Sequence, residues 1–459
     1  MGPHTRRTFL AGAAGAALAT SAGSGCRPIR RSVQRVLVVG AGVAGLSAAQ
    51  DLRAAGFAVE VLEARPRIGG RIRTDRSWPG ATIDVGASWI HGASGNPLTE
   101  VARTAGARVL RTSYDSGEVY VDRALRATGL TEPDTARWQR LSERALERAG
   151  AAPRDISIER AIDRELARRP PLDPAERADL AFFLNSTVTT EFGEAPRRMS
   201  AWHADDGRTF GEDGEDALLP WGYDAIPRYL ARNVPVRLGV VVRRVDLRPG
   251  GVYLATNRGA WLADAMIVTV PLGVLRDESI DFRFSIPPKI AEAVERLRMG
   301  VLSKTFLRFE RPFWPQDVDW LEYVGPRAGA WAEWVSLARA GAPVLVGFNG
   351  GDLGRAVERS ARSEVQAEAM RTLREMFGRS VPDPVATRTT SWSTDRYALG
   401  SYSATVVGAT PADRRALTEP VEERVFLAGE ATEPDYSATV HGALLSGRRA
   451  ARQVRAALT

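Results

Sequence analysis

A glycine-rich turn between two apolar runs constrains the fold of this chain more than any other feature. In the segment 36–92 the first run ends in the spacing Gly40-x-Gly42-x-x-Gly45, and after an alanine-rich stretch a second run ends on Glu63. This order predicts strand, tight turn, helix and strand, the βαβ unit that binds a dinucleotide. Gly40 would allow the turn, Gly42 the approach of a pyrophosphate, and Gly45 close packing of the helix. Glu63 would accept a hydrogen bond from a ribose hydroxyl.

The composition is that of a soluble globular protein and excludes several classes of function. Of the 459 residues, 44% are hydrophobic and 25% charged, enough for several domains or one large α/β body. The formal charge is +7, but the basic residues are spread along the chain, so we predict no nucleic-acid partner. The four histidines show no ligand spacing and Cys26 is the only cysteine, so we predict neither a disulfide within the chain nor a bound metal.

The first 26 residues have the pattern of an export signal. Arg6 and Arg7 precede a weakly apolar stretch of alanine and glycine, which predicts a twin-arginine signal; a disordered alanine-rich tail is the alternative. We therefore expect a periplasmic, extracellular or cell-envelope protein. Cys26 is a candidate lipid anchor, although Gly23-Ser24-Gly25 before it lacks the leucine of a lipobox. The apolar stretch is too short to predict a stable membrane span.

The rest of the chain alternates helical and strand-like segments. Residues 134–184 have the apolar spacing of helices, broken by the proline pair at 170–171. Runs within 236–275, 301–309 and 421–430 have strand character, and an alanine-rich helix closes the chain. We predict an α/β fold with α+β elements, in which a discontinuous Rossmann-like domain carries an inserted domain of mixed sheet and helices.

Lysine occurs at only two positions, Lys289 and Lys304, among 62 basic side chains. Strand alternation places Lys304 on the same face as Leu302 and Phe306. A lysine on an apolar strand face is snorkelling, at a sheet edge, or functional. Its compact ammonium, whose pKa falls readily on burial, suits a functional role.

With its further motifs the chain resembles the flavin-containing amine oxidases, and within them the polyamine oxidases and lysine-specific histone demethylases. The matching segments follow one another in order over nearly the whole chain after residue 33. They are the glycine fingerprint, 63–65 with 69–71, 84–92, 222–224, 268–273, 300–304, 391–392, 400–403, 429–432 and 436–443.

The resemblance implies non-covalent FAD in a domain of the glutathione-reductase/amine-oxidase type. This domain would comprise 33–90, 222–285 and 415–459, with the substrate-binding domain at 91–221 and 286–414. Some relatives attach the flavin to a cysteine, but the matching stretch 434–437 has none. The cofactor-binding residues implied are Gly40, Gly42, Gly45, Glu63, Arg65, Arg71, Ser88, Trp89, Val242, Glu430 and Val440.

The resemblance also implies oxidation of an amine C–N bond, with polyamines as the expected substrates. The imine would be hydrolysed to an aldehyde and an amine, and dioxygen would be reduced to hydrogen peroxide. Lys304 would be catalytic, holding a water beside flavin N5. The implied substrate contacts are His91, Trp392, Tyr402 and Thr439. The acidic loop at 203–216 is a candidate site for the other charges of a polyamine, and a solvated loop is the alternative.

Two other functions remain open at this point. An L-amino-acid oxidase on the same scaffold would need an arginine for the substrate carboxylate, and the matching positions 86–89 contain none. A non-catalytic FAD-binding or scaffold protein is the second alternative, against which the export signal argues. The sequence leaves the identity of the amine and the oligomeric state open.

Overall fold

The computed structural model describes residues 33–204, 207–208, 210 and 215–459. The predicted export signal, Cys26, and Asp205, Asp206, Glu212 and Asp213 of the acidic loop lie outside the described residues. Residues Gln34–Thr459 belong to one structural unit.

The elements of the described residues are numbered here in chain order. The strands are β1 (Arg35–Val39), β2 (Ala58–Glu63), β3 (Thr74–Trp78), β4 (Ala81–Asp84), β5 (Trp89–Ile90), β6 (Leu110–Thr112), β7 (Gly117–Val121), β8 (Asp216–Leu218), β9 (Val236–Leu238), β10 (Val242–Arg248), β11 (Gly251–Thr256), β12 (Gly259–Ala263), β13 (Ala265–Val268), β14 (Asp281–Arg283), β15 (Arg298–Gly300), β16 (Leu302–Arg308), β17 (Trp320–Val324), β18 (Glu333–Ser336), β19 (Val344–Gly350), β20 (Ala386–Thr389), β21 (Tyr402–Ala404) and β22 (Val425–Leu427). The α-helices are α1 (Val43–Ala54), α2 (Pro97–Thr104), α3 (Arg123–Ala127), α4 (Thr135–Gly150), α5 (Ile158–Leu166), α6 (Pro174–Leu184), α7 (Ala225–Leu230), α8 (Leu272–Arg276), α9 (Pro288–Arg296), α10 (Gly351–Arg359), α11 (Arg362–Phe377), α12 (Pro411–Ala416) and α13 (Val440–Leu458).

A parallel sheet of five strands, in the order β22-β13-β1-β2-β9, forms the centre of the nucleotide-binding region. Strands β13 and β22 are wholly apolar and buried, and β1 is so after its first residue, because both faces of the sheet are covered here. In β1, Val36 and Val38 join the apolar cluster that contains α1 and α13 residues. Leu37 and Val39 join the cluster on the other face, which contains residues of β10 and β11. The α/β class and its βαβ start are therefore confirmed.

The two ends of the described chain meet in this region. Helix α1 packs against α13, where the Ser47 hydroxyl donates a hydrogen bond to the Leu444 carbonyl oxygen at 3.1 Å. A Cβ on Gly447 would lie 2.2 Å from the Ala44 carbonyl oxygen, so only glycine allows this approach. The central sheet thus combines strands from early, middle and late segments of the chain, while the exact domain boundaries stay a prediction.

A second sheet of six strands, in the order β20-β16-β19-β18-β17-β7, carries Lys304 on β16. One face is covered by an apolar cluster that includes residues of α10 and α11. The other face, with Phe306, Val335 and Phe348, packs against Ile83 and Val85 at the end of β4. This sheet therefore brings Lys304 beside the segment that follows the β3–β4 hairpin.

The predicted helical block 134–184 consists of three helices, α4, α5 and α6. Besides the predicted break at the proline pair, the chain breaks at 151–157. Helix α6 starts with a capping box between Asp173 and Glu176 and continues beyond Leu184 as a π-helical turn, Asn185–Thr190, which the sequence did not predict. Among the described helices, none combines the length and apolar character needed to cross a bilayer.

Candidate active site

The turn after β1 has the geometry that a dinucleotide requires. Gly40 has φ of +109°, and a Cβ on Gly45 would lie 2.0 Å from the Gly40 carbonyl oxygen, which keeps α1 close to the sheet. At Gly42 a Cβ would have no neighbouring atom within 4 Å. Gly42 is the N-cap of α1 and has no side chain to cap the helix, so the first N–H groups can bind phosphate.

Glu63 ends β2 and is only 5% exposed. Its two carboxylate oxygens accept hydrogen bonds from the backbone N–H groups of Ala41 at 2.7 Å and Arg65 at 2.8 Å. Burial raises the pKa of this carboxyl, and the two N–H donors oppose the rise. Each oxygen keeps a lone pair for a ribose hydroxyl. Val242 starts β10, two residues after Val240, whose N–H donates to the Glu63 carbonyl oxygen at 2.9 Å.

A buried ion pair joins Arg71 to Glu430, which follows strand β22 of the central sheet. Arg71 donates to a Glu430 carboxylate oxygen at 2.7 Å and to the Ser401 carbonyl oxygen at 3.1 Å. Burial pushes the pKa of Glu430 up, but Arg71 and the Ser403 hydroxyl outweigh burial and hold it below its usual range. Gly429 has φ of +140°, and a Cβ there would have no neighbouring atom within 4 Å.

Arg414 belongs to the same network and was not predicted. It is 3% exposed and donates to the Ser403 hydroxyl at 2.7 Å, the Ala431 carbonyl oxygen at 3.2 Å and the Thr405 hydroxyl at 3.2 Å. The Ser403 hydroxyl in turn donates to Glu430 at 2.6 Å. The open space at Gly42 and Gly429, the buried acid Glu63 and the Arg71–Glu430 pair together fit a bound dinucleotide. We call these four features the cofactor cradle.

Lys304 is buried, at 7% exposure, and its ammonium is held at two points. It donates to the Gly86 carbonyl oxygen at 2.8 Å and to the Ser88 hydroxyl at 2.7 Å, and lies 5.1 Å from the Trp89 ring centroid. Burial lowers the pKa of Lys304 to about 8, with Asp84 opposing. An ammonium has three N–H donors, so one remains for a water or a reacting group.

The two predicted aromatic residues are anchored through their polar atoms. Trp392 donates from Nε1 to the Val85 carbonyl oxygen at 2.7 Å, next to the segment that holds Lys304. Tyr402 donates from its hydroxyl to the Thr190 carbonyl oxygen at 2.8 Å. Burial raises the pKa of Tyr402, and the nearby Glu191 and Glu333 raise it further. What these side chains can offer a substrate is therefore the ring surface.

His91 forms a dyad with Asp216. The imidazole Nδ1 lies 2.7 Å from a carboxylate oxygen of Asp216, whose other oxygen accepts from the Gly92 N–H at 2.9 Å. Burial lowers the pKa of His91, but the hydrogen bond and charge of Asp216 outweigh it and the net pKa is raised. Half of the His91 side chain is exposed. Asp216, grouped with the acidic loop in the sequence, is thus the first residue of β8 and the partner of His91.

Two of the predicted site residues use their side chains elsewhere in the structure. Arg65 forms two hydrogen bonds, both of 2.7 Å, with the carboxylate of Asp395. Thr439 is the N-cap of α13: its hydroxyl accepts from the Gly442 N–H at 2.9 Å and donates to the Tyr436 carbonyl oxygen at 2.8 Å. Val440, next in the chain, is the first residue of α13, where backbone N–H groups lack partners within the helix.

A row of four side chains crosses the six-stranded sheet, and only one of them was predicted from the sequence. The register pairs Lys304 with Phe348, Phe348 with Glu333, and Glu333 with Glu322. Side chains paired in this way project from the same face of a sheet. We call Lys304, Phe348, Glu333 and Glu322 the acid row. One feature of the sequence could have identified Glu333. It is an acidic residue between Trp331 and Trp334, in a strand of buried residues.

Glu333 is 6% exposed and its carboxylate is bound on one side. One oxygen, Oε2, accepts from the Asn185 side-chain amide at 3.0 Å and the Thr190 hydroxyl at 2.5 Å. Both of these donors engage Oε2, so neither of them occupies the other oxygen, Oε1; the Ser186 hydroxyl also lies close enough to the carboxylate to lower its pKa. Burial raises the pKa of Glu333 to about 7, and the charges of Glu322 and Glu191 contribute. The described residues contain no group of side chains suited to a metal ion.

Known proteins resemble this chain over most of its length. Residues 43–455 match the flavin containing amine oxidoreductase family. Probable polyamine oxidase 4 of Arabidopsis thaliana is 33% identical over 437 residues, covering 90% of this chain and 85% of that protein. Lysine-specific histone demethylase 1 homolog 1 of Oryza sativa subsp. japonica is 32% identical over 461 residues, 94% of this chain but only 54% of that protein.

The fold is also that of a solved amine oxidase. The structure of wild-type putrescine oxidase bound to putrescine superposes with a TM-score of 0.76 at 21% identity, covering 92% of this chain and 99% of that one. The family match fixes the class of cofactor, and with the cradle described above that cofactor is FAD. The chain belongs to the flavin-containing amine oxidoreductases.

Proposed function

We propose that the protein oxidises the C–N bond of an amine that carries a second positive charge, as diamines and polyamines do. In the balanced reaction the amine, dioxygen and water give an aldehyde, the released amine or ammonia, and hydrogen peroxide. The acid row is the observation that carries this proposal. The names of the relatives, several of them polyamine oxidases, support the same class of substrate.

The spacing of the acid row suits a doubly charged substrate. Neighbouring strands lie ~4.8 Å apart, so the backbone of Glu333 is roughly 10 Å from that of Lys304 and the backbone of Glu322 is roughly 14 Å from it. Phe348 stands between Lys304 and Glu333, and Trp320 and Trp89 stack nearby with ring centroids 6.1 Å apart. Such a wall favours cations and methylene groups.

Glu333 also has the electrostatic character of a cation site. A buried carboxylate without an opposite charge is costly, and the two charged groups that shift the pKa of Glu333, Glu322 and Glu191, are both acids. An ammonium group at Oε1 would supply the missing charge. The same acids disfavour an amino-acid substrate, because its carboxylate would meet like charges. We therefore rank the L-amino-acid oxidase alternative below the polyamine proposal.

In the proposed mechanism the chain binds, orients and protects the reacting amine. FAD, held by the cofactor cradle, supplies the acceptor for the two electrons that leave the α-carbon. His91 has its Nδ1 engaged by Asp216, which leaves Nε2 to bind the reacting nitrogen. Tyr402 and Trp392 confine the amine by their rings. Lys304 directs its third N–H towards a water, and its positive charge below pH 8 stabilises negative charge on oxygen.

Replacement of Glu333 by glutamine tests the proposal. The KM for putrescine should rise roughly tenfold to a hundredfold, because the negative charge that faces the second ammonium group is lost, while kcat/KM for butylamine should stay within about twofold. In the wild type the KM for putrescine should rise as pH falls through about 7, where Glu333 takes up its proton. Peroxide release is measured for both amines, with the exposed Glu310→Gln as control. Equal losses with both amines, or none with either, would contradict the role of Glu333.

A peroxide assay with a wider panel tests the activity itself. Purified protein with bound flavin is given spermine, spermidine, their acetylated forms, putrescine, monoamines and amino acids. Peroxide should form with one or more of the multiply charged amines. Absence of peroxide with every amine would favour the non-catalytic FAD-binding alternative.

We also propose that the protein is exported in folded form through a twin-arginine signal. The support is the pair Arg6-Arg7 before a weakly apolar stretch, and the need to insert FAD before the chain crosses a membrane. The double substitution Arg6→Lys and Arg7→Lys should retain the protein, with its flavin, in the cytoplasm of the producing cell. Fractionation and flavin absorbance measure this, and undiminished export of the double variant would refute the signal.

A further inference from the structure

A π-helical turn touches both ends of the proposed substrate site. This turn, Asn185–Thr190, extends α6, and π-helical turns are rare and frequent at functional sites. Asn185 and Thr190 both donate to Oε2 of Glu333, and the Asn185 amide also donates to the Thr190 hydroxyl at 3.3 Å. One carboxylate oxygen is thereby fixed by two side chains of a single turn.

The same turn positions Tyr402 at the reacting end. The Thr190 carbonyl lies in the last turn of the helix that starts at α6, where carbonyl groups lack partners within the helix, and it accepts from the Tyr402 hydroxyl. A Cβ on Gly193 would lie 3.2 Å from the Tyr402 ring, so the ring is also closely packed from this side. Thr190 therefore contacts Glu333 through its side chain and Tyr402 through its backbone.

The position of Asn185 is fixed by its surroundings. Its side chain is 7% exposed, and a Cβ on Gly329 would approach its amide oxygen to 2.7 Å. With the amide oxygen packed against Gly329, the amide nitrogen is presented to Glu333. This arrangement requires a glycine at position 329 and a side-chain amide at position 185. Other side chains at these two positions would not orient a buried donor towards Glu333 in the same way.

We propose that Asn185 and Thr190 are positioning residues that determine the preference for a doubly charged amine, by engaging Oε2 of Glu333 and leaving Oε1 free for the second ammonium group. This inference rests on the proposed function, because it assigns Glu333 its partner in the substrate. Neither residue is required to contact the reacting nitrogen. Their effect should therefore fall on binding of the second charge rather than on the chemical step.

The charged and titratable groups around Glu333 determine the sign of the pH effect. They are Glu322 on β17, Glu191 after the π-helical turn, Tyr402 on β21 and Tyr114 after β6. The acids favour the protonated carboxyl, whereas the hydroxyls of Thr190 and, more weakly, Ser186 favour the carboxylate. Removal of that hydroxyl should let Glu333 keep its proton to higher pH.

The test compares Thr190→Val with Thr190→Ser in the flavin-loaded enzyme. In the valine variant the KM for putrescine at pH 7 should rise about tenfold, and the midpoint of its pH dependence should move up by about one pH unit. The kcat at saturation and the kcat/KM for butylamine should stay within about twofold. The serine variant, which keeps the hydroxyl, should behave like the wild type. Asn185→Leu should change KM in the same direction as the valine variant.

The outcomes separate this inference from the function on which it rests. If Glu333→Gln raises the KM for putrescine but Thr190→Val leaves both KM and the pH midpoint unchanged, the positioning role is refuted and the proposed function stands. If Glu333→Gln has no effect on diamines, the proposed function fails and this inference fails with it. An equal loss of kcat with both amines in Thr190→Val, not restored in Thr190→Ser, would also overturn the positioning role.

Discussion

Replacement of Lys304 by methionine is expected to slow reoxidation of the reduced flavin by dioxygen about 10²–10³-fold, the usual effect of removing a preorganised donor from developing negative charge. FAD should remain bound, because none of the four features of the cofactor cradle includes the Lys304 side chain. Methionine is a flexible apolar side chain that suits this buried position. Stopped-flow absorbance measures the rate, and the flavin-to-protein ratio measures retention.

The pH dependence of flavin reoxidation provides a second test of the role of Lys304. With a pKa lowered to about 8 by burial, Lys304 is charged below that pH and neutral above it. The wild-type reoxidation rate should therefore fall as pH rises through about 8, and the rate of Lys304→Met should be flat across this range. Lys289, exposed and paired with Glu419, offers the control Lys289→Met, which should match the wild type. Reoxidation of Lys304→Met at the wild-type rate would exclude Lys304 from the oxygen reaction.

Replacement of Arg71 by methionine is expected to abolish stable FAD binding. The substitution leaves the 4% exposed Glu430 without its closest cation, and breaking a buried pair costs about 3–5 kcal/mol. If this cost falls on the bound state, the Kd for FAD should rise about 10²–10³-fold. Titration of the apoprotein with FAD, followed by flavin fluorescence, measures the change.

Two further variants separate charge from structure at this position. Arg71→Lys keeps a cation near Glu430 but cannot reach two acceptors with one planar group, so it should fall between wild type and Arg71→Met. Arg73→Met removes an exposed arginine two residues away and should bind FAD like the wild type. Unchanged FAD affinity in Arg71→Met would show that Arg414, through Ser403, is sufficient to neutralise Glu430.

The nucleotide-binding half of the molecule was predictable because its signals are local. Gly40, Gly42, Gly45 and Glu63 lie within one βαβ unit, and their spacing specifies backbone geometry as well as position. Lys304 was also identifiable, since a lysine on an apolar strand face is unusual. Its two acceptors, Gly86 and Ser88, lie far away in the sequence but within a recognised motif.

The substrate-binding side of the site depends on contacts between distant segments, so most of it could not be predicted from the sequence. Glu333 and Glu322 reach Lys304 only through the register of four strands, which strand-like patterns do not specify. Short motifs likewise leave side-chain direction undetermined. Arg65 stands in a cofactor motif but binds Asp395, and Thr439 is occupied by capping α13.

The discontinuous central sheet makes synthesis of its late strand, β22, a condition for binding FAD. Strands β1 and β2 and helix α1 leave the ribosome long before β22 and α13, which complete the sheet and cover α1. Domains usually fold as units during synthesis. In this domain the apolar surfaces of β1, β2 and α1 stay uncovered while more than three hundred intervening residues are added. A chain interrupted before β22 would lack Glu430 as well as α13. Bound flavin would therefore identify chains that had been synthesised beyond β22 and in which the central sheet had formed correctly.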